Sequence, residues 1–155
     1  MPDLRVTIGS LTLPNPILVA AGTFGYGLEF ANAVRLDRLG ALITKTLTRQ
    51  PRPGNPPPRL VETPSGMLNA VGLQNIGLEP FVREKLPALR PYHVPIIVSL
   101  LGESLEDVAW MAHQLDRADG VAAIELNLSC PNLKRGSRFE VQGSKMVAQD
   151  PEATQ

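Results

Sequence analysis

Short, nearly continuous apolar runs recur along this chain, and longer stretches of mixed character separate them. Residues 5–13 alternate around Gly9 and Ser10, which predicts a short hairpin. The runs PILVAAG (16–22), ALITKTLT (41–48), PIIVSLLG (95–102) and VAAIELNL (121–128) read as strands buried on both faces. Helices are predicted between them. One covers 28–39, with Gly40 as its stop signal. Another covers 79–86, with Leu78, Val82 and Leu86 on one side and Pro87 placed to end or kink it. The clearest helix signal has Ser104 as N-cap and Asp107 three residues on, with Leu105, Val108, Ala109, Ala112 and Leu115 along one face. The prolines of 51–58 mark a loop, and the segment SGMLNAVGLQN (65–75) follows it. No sequence repeat of fixed period is present.

Buried strands alternating with helices imply an α/β fold with a parallel sheet covered by helices. Four such steps fit either an open doubly wound sheet or part of a (β/α)8 barrel. The segment GTFGYG after the first run does not match G-x-G-x-x-G, and no P-loop pattern occurs, so a dinucleotide-binding Rossmann unit is unsupported. Asp150, Pro151 and Glu152 form a helix start with almost no chain behind it. A whole barrel needs about 250 residues, so the expectation is a truncated chain.

Composition narrows the function classes. The chain has 155 residues, 43% hydrophobic and 19% charged, as expected of one globular domain. Lys+Arg and Asp+Glu are both 15, so no general electrostatic attraction to nucleic acid or an anionic membrane is expected. The N-terminus has no apolar signal core and no run approaches the roughly 18 apolar residues of a membrane span, which suggests a cytoplasmic protein. A single cysteine excludes an internal disulfide and a multi-cysteine metal site. His93 and His113 have no metal-site or triad spacing, so no metal is expected.

Candidate chemistry lies where the predicted strands end, the place of the ligand site in parallel α/β folds. The first ends in the small residues Ala20, Ala21 and Gly22, which let a flat ligand approach the backbone. The second carries Lys45 and Thr46, the third Ser99, and the fourth Asn127, Ser129 and Cys130, with Asn132 beyond; the loop after the second brings Asn69. Singly, each reads more readily as a solvated lysine, a turn residue or a buried thiol. Their gathering on one rim shifts the balance. Amides both donate and accept, which suits a flat heterocycle with alternating C=O and N–H groups. A lysine suits a carboxylate or developing negative charge, and a thiolate can take a proton from carbon. Redox or proton chemistry on a small amide-rich ring, beside a flat cofactor, is the reading of the residues. Glu125 is assigned no chemistry.

The motifs LPNPILVAAGTFG, ITKTLT, SGMLNAVGLQN and ELNLSCPN, in that order, resemble the catalytic subunit of class 1 dihydroorotate dehydrogenase, in the NAD-linked class 1B form more than the fumarate-linked class 1A form. The resemblance runs from about Val6 to the last residues. It implies an FMN-binding (β/α)8 TIM barrel, of which residues 1–155 are the N-terminal half, about four βα units, inactive alone. It implies oxidation of dihydroorotate to orotate in pyrimidine biosynthesis, with hydride passing to FMN. Cys130 matches the catalytic base. Ala21, Lys45, Thr46, Ser99 and Asn127 match FMN-contacting positions. Lys45, Asn69, Ala70, Val71, Gly72, Leu73, Asn127 and Asn132 match substrate-binding positions. A homodimer is implied, together with a partner subunit carrying FAD and a 2Fe-2S cluster.

The chain departs from the family pattern at Ala21, often serine, and after Asn132, where LKRGSRFEVQGSKMVAQ replaces a short glycine-rich form. The family's second flavin lysine and phosphate-holding loops are expected beyond this sequence. Two alternatives stand beside this reading: a related FMN-dependent dihydropyrimidine dehydrogenase, and a non-catalytic half-barrel fragment.

Overall fold

A computed structural model describes residues 2–129 of the chain. Four strands form a parallel sheet: β3 (Leu18–Val19), β4 (Ala41–Ile43), β7 (Ile96–Leu100) and β8 (Val121–Leu126). Their order in the sheet is their order in the chain. An open doubly wound sheet reverses direction at a switch point; none occurs among the described strands. The two faces of the sheet are also covered differently. Leu42, Val98 and Leu100 face a large core completed by helical residues Leu78, Phe81, Leu86, Leu89, Met111 and Leu115. Ala41 and Ile97 face the other way, against Leu13 of a short antiparallel hairpin, β1 (Val6–Ile8) and β2 (Leu11–Leu13). The predicted hairpin over 5–13 thus closes the inner face of a singly wound sheet.

The strands are shorter than the apolar runs, because the pleated pairing ends where each chain bends toward the rim. Past β4, Leu47 still bridges to Leu100. The helix predicted over 28–39 is replaced by two single 3-10 turns, Leu28–Phe30 and Leu36–Arg38. Phase explains the break: in a continuous helix Arg35 would lie on the stripe of Leu28 and Leu39, with Leu36 off it. The break leaves Arg35 extended and paired with Asp37 in solvent, and inserts Leu36 into the core. Gly40 also has a different task from a helix stop. A Cβ there would lie 2.0 Å from the carbonyl oxygen of Asn15, and Gly40 N–H donates to Ile17 O at 2.7 Å.

The second helical region is longer than predicted and passes through Pro87. It runs from α1 (Leu78–Pro80) through a π turn (Phe81–Lys85) into α2 (Leu86–Leu89) and a 3-10 turn (Arg90–Tyr92). Pro87 cannot donate to the carbonyl four residues back, and the wider π turn just before it relieves that mismatch without ending the helix. The third, α3 (Leu105–Asp116), begins as predicted: Ser104 Oγ accepts from Asp107 N–H at 3.1 Å. Its packed side is rotated from the prediction. Val108, Met111, Ala112 and Leu115 turn inward, whereas Leu105 and Ala109 are exposed.

A second antiparallel hairpin, β5 (Leu60–Thr63) and β6 (Gly66–Asn69), lies between the proline loop and the segment that follows, where no strand was predicted. One irregularity matters for the site. Ile96 pairs with Val121, but Ile97 pairs with Ala123, so Ala122 is an extra residue in β8. Val121 packs on the helix side, whereas Ala123 packs on the inner face with Ile97. Among the described residues no helix is long and apolar enough to cross a membrane.

Candidate functional site

A cavity of about 270 Å³ opens at the C-terminal ends of these strands, lined by Ala21, Gly22, Thr23, Lys45, Thr46, Asn69, Val71, Gly72, Leu73 and Asn127. Each segment arrives there for a local reason. Beyond β3, Thr23 Oγ1 donates to Ala20 O at 2.9 Å, closing a turn over the small residues Ala21 and Gly22, which line the cavity. Lys45 N–H donates to Gly25 O at 2.8 Å, tying this first loop to the end of β4. Lys45 is half-buried, and no carboxylate lies within ion-pair distance of it among the described residues.

Asn127 reaches the cavity because of the extra residue in β8. After Ala122 the inner-face positions are Ala123, Glu125 and Asn127. Asn127 Nδ2 donates to Thr46 Oγ1 at 2.9 Å, and Thr46 Oγ1 lies 3.0 Å from Ser99 Oγ.

The segment after β6 forms the facing wall. Gly72 and Leu73 are both left-handed, with φ of 75° and 57°. At Gly72 this is required twice over, since a Cβ would also meet Asn55 N at 2.8 Å. Asn55 accepts this loop closely: its N–H donates to Val71 O at 3.0 Å and its Nδ2 to Ala70 O at 2.9 Å. Behind the wall, the buried Asn75 carboxamide accepts from the backbone N–H groups of Thr48 (3.2 Å) and Gly77 (2.9 Å) and donates to Leu73 O (2.9 Å). Tyr26 from the first loop reaches the same place, its hydroxyl accepting from Ile76 N–H at 3.1 Å. Burial pushes the Tyr26 phenol above its ordinary pKa.

Of the predicted positions, the cavity gathers Ala21, Lys45, Thr46, Asn69, Val71, Gly72, Leu73 and Asn127. Ser99 is not on its wall but fully buried behind Thr46. Ala70 is exposed, its backbone held by Asn55 and by Arg59 O, and it does not line the cavity. Cys130 and Asn132 lie outside the described residues. Gly22, read from the sequence as one of the small residues at the end of the first strand, also lines the cavity, whereas sequence reasoning missed Thr23 as a lining residue and Asn75 as the support of the wall. Asn75 had a signal: Asn-x-Gly before a helix is an Asx-turn pattern.

Small backbone-exposing residues, one cation and two amides fit the edge and face of a flat amide-rich ring. Among the described residues no cluster of His, Cys, Asp and Glu could hold a metal ion. The fold and cavity define an α/β protein with a small-molecule site at the carboxyl edge of a singly wound parallel sheet. Comparison with known proteins makes this particular: the dihydroorotate dehydrogenase family model matches residues 3–151, and the chain belongs to that family. The catalytic subunit of dihydroorotate dehydrogenase B (NAD(+)) from Geotalea uraniireducens is 53% identical over 135 residues, which are 87% of this chain and 44% of that protein. The same figures hold for the subunit from Geobacter sulfurreducens. The one from Thermoanaerobacter pseudethanolicus is 52% identical over 134 residues, 86% of this chain and 44% of that protein. The chain thus spans a little under half the length of these curated relatives.

Proposed function

We propose that this chain is the N-terminal half of an FMN-binding (β/α)8 barrel that oxidises dihydroorotate to orotate in pyrimidine biosynthesis. The observation that carries the reading is the meeting of Lys45, Asn69 and Asn127 around one cavity with a small-residue floor at the carboxyl edge of the sheet. Family membership and the names of the relatives support it. The barrel is supported by the sequential strand order and by the outer face of β8, where Ile124, Leu126 and Leu128 are exposed as if awaiting a further helix.

The residues present fit a flavin ring. Ala21 and Gly22 leave room for a flat system against backbone, and Lys45 and Thr46 flank it. FMN, when bound, supplies the hydride acceptor. The chain's own residues do the rest. Lys45 balances negative charge on the substrate carboxylate or at the ring edge, which favours orotate-type substrates over uncharged uracil. The Asn69 and Asn127 amides match the C=O and N–H groups of the pyrimidine and hold its plane parallel to the cavity floor. Cys130, three residues beyond Asn127, takes the C5 proton as the C5–C6 double bond forms. Its motif, ELNLSCPN, supports that role.

The relatives are named as catalytic subunits, which supports a partner subunit. The proposal takes that partner to carry FAD and a 2Fe-2S cluster for electron transfer, and the complete chain to be a homodimer in the cytoplasm. The deciding experiment is anaerobic addition of dihydroorotate to the purified full-length protein that carries this sequence. Bleaching of its flavin absorbance is expected, and an unbleached flavin would overturn the reading.

A further inference from the structure

We infer that Ser99 is a positioning residue, which sets the orientation of the Asn127 carboxamide through the Thr46 hydroxyl. The inference rests on the reading of the cavity as a pyrimidine site. Ser99 is fully buried and off the cavity wall, so its hydroxyl acts through a neighbour. That neighbour is Thr46 Oγ1 at 3.0 Å, itself only 5% exposed. The Ser99 main chain is also held there, with its N–H donating to Thr44 Oγ1 at 3.2 Å.

An amide at this position could face the cavity in either of two senses. Two bonds select one. Ser129 N–H can only donate, and it meets Asn127 Oδ1 at 3.4 Å. Thr46 Oγ1 meets Nδ2 at 2.9 Å. A threonine hydroxyl alone would not discriminate, because it can rotate to donate to Oδ1 or accept from Nδ2. Ser99 Oγ, 3.0 Å away, is the second partner of that hydroxyl. In the arrangement we infer, Thr46 gives its proton to Ser99 Oγ, turns only lone pairs toward Asn127, and leaves Nδ2 as the end that fits. One Nδ2 hydrogen and one Oδ1 lone pair then remain for the cavity, a donor beside an acceptor, the complement of the –CO–NH– edge of a pyrimidine. In a water-poor site such a chain of bonds is strengthened by its own polarisation.

The test uses the full-length protein that carries this sequence, purified with its flavin. Ser99→Ala is expected to weaken orotate binding roughly tenfold, read by titrating the flavin absorbance. KM for dihydroorotate should rise by a similar factor while kcat changes by less than about twofold. In an Asn127→Ala background, Ser99→Ala should add nothing, since its effect travels through that amide. Additive losses, or Ser99→Ala binding orotate as the parent does, would overturn the inference. Ser99→Thr keeps the hydroxyl and should restore binding; if the buried site rejects the extra methyl, Ser99→Cys, a weak hydrogen-bonder of similar shape, should fall between serine and alanine. The Asn127 side-chain amide resonances in a heteronuclear NMR spectrum give a readout that needs no ligand. They should move in Ser99→Ala, and unmoved resonances would overturn the inference. Moved resonances in a protein whose parent binds no orotate would support the relay and overturn the pyrimidine reading alone.

Discussion

The Asn75 side chain and the Thr48 backbone are joined at 3.2 Å, and through that bond the facing wall of the cavity is fastened to the strand end carrying Lys45 and Thr46. Asn75 is 5% exposed and uses both ends of its amide. Replacing it with alanine leaves buried backbone donors at Thr48 and Gly77 and an acceptor at Leu73 without partners. A loss of about 2–3 kcal/mol in unfolding free energy is expected, measured by urea denaturation. Asn75→Asp retains the acceptor and should lose less.

Lys45 is the cation of the described cavity wall. Lys45→Met should lower kcat/KM for dihydroorotate by roughly 10²–10³, with little change in thermal stability because the side chain is half-exposed. Arginine is not a conservative replacement here. Its planar, delocalised fork is not the compact point charge of an ammonium, so Lys45→Arg should recover less than a tenth or so of the activity. Steady-state kinetics checks both.

Gly72→Ala puts a methyl group 2.7 Å from Asn55 Cγ at a residue with φ of 75°. The left-handed backbone alone costs roughly 1–2 kcal/mol, and the clash is with a backbone nitrogen as well as a side chain. The wall is expected to shift. Binding of orotate should weaken more than tenfold or so, while Gly66→Ala, whose Cβ would meet nothing closer than 4.0 Å, should leave it unchanged. Parallel titrations of the two variants distinguish a local clash from a general effect of lost glycine.

Tyr26 gives a pH dependence of definite sign. Burial raises its pKa above the ordinary value of 10.0, so the folded state holds the phenolic proton after the unfolded state has released it. The unfolded state then binds fewer protons, and stability falls as pH rises. The contribution is complete below about pH 10 and is lost as pH climbs through the raised value. Tyr26→Phe removes this slope but also the acceptor of Ile76 N–H, at a cost of about 1 kcal/mol near neutrality. Denaturation curves of the two proteins should converge in the alkaline range.

The described cavity wall offers small residues and amides for a ring system but only one cation, Lys45, for the phosphate of a flavin nucleotide. The 155 residues expressed alone should therefore retain little FMN after gel filtration. Recovery of a stoichiometric yellow complex would contradict this.

Much of the site can be read from the letters because it interrupts apolar runs. Lys45, Ser99 and Asn127 each stand where a buried strand would have continued, and such interruptions are costly unless used. Ser99 shows the limit: the sequence marks it as unusual but carries no sign that it is buried behind Thr46. The hairpin β5–β6 went unread because its four large apolar residues, Leu60, Val61, Met67 and Leu68, are all more than half exposed, so no buried face imposes a pattern. The break in residues 28–39 was hidden by good helix formers, and only the phase of Arg35 against Leu36 betrays it.

Ala122 has no chemistry and lines no part of the cavity, yet it sets the parity of everything after it. Paired regularly through Ala122, the strand would offer Leu126 to the ligand and hide Asn127 among the helices. When related sequences are aligned, a one-residue gap at this alanine is therefore compatible with the same site, because Val121 followed directly by Ala123 alternates regularly and keeps Asn127 inward. A one-residue gap between Ala123 and Asn127 has no such compensation, and would mark a protein in which the motif survives in the letters while its amide faces away from the ligand.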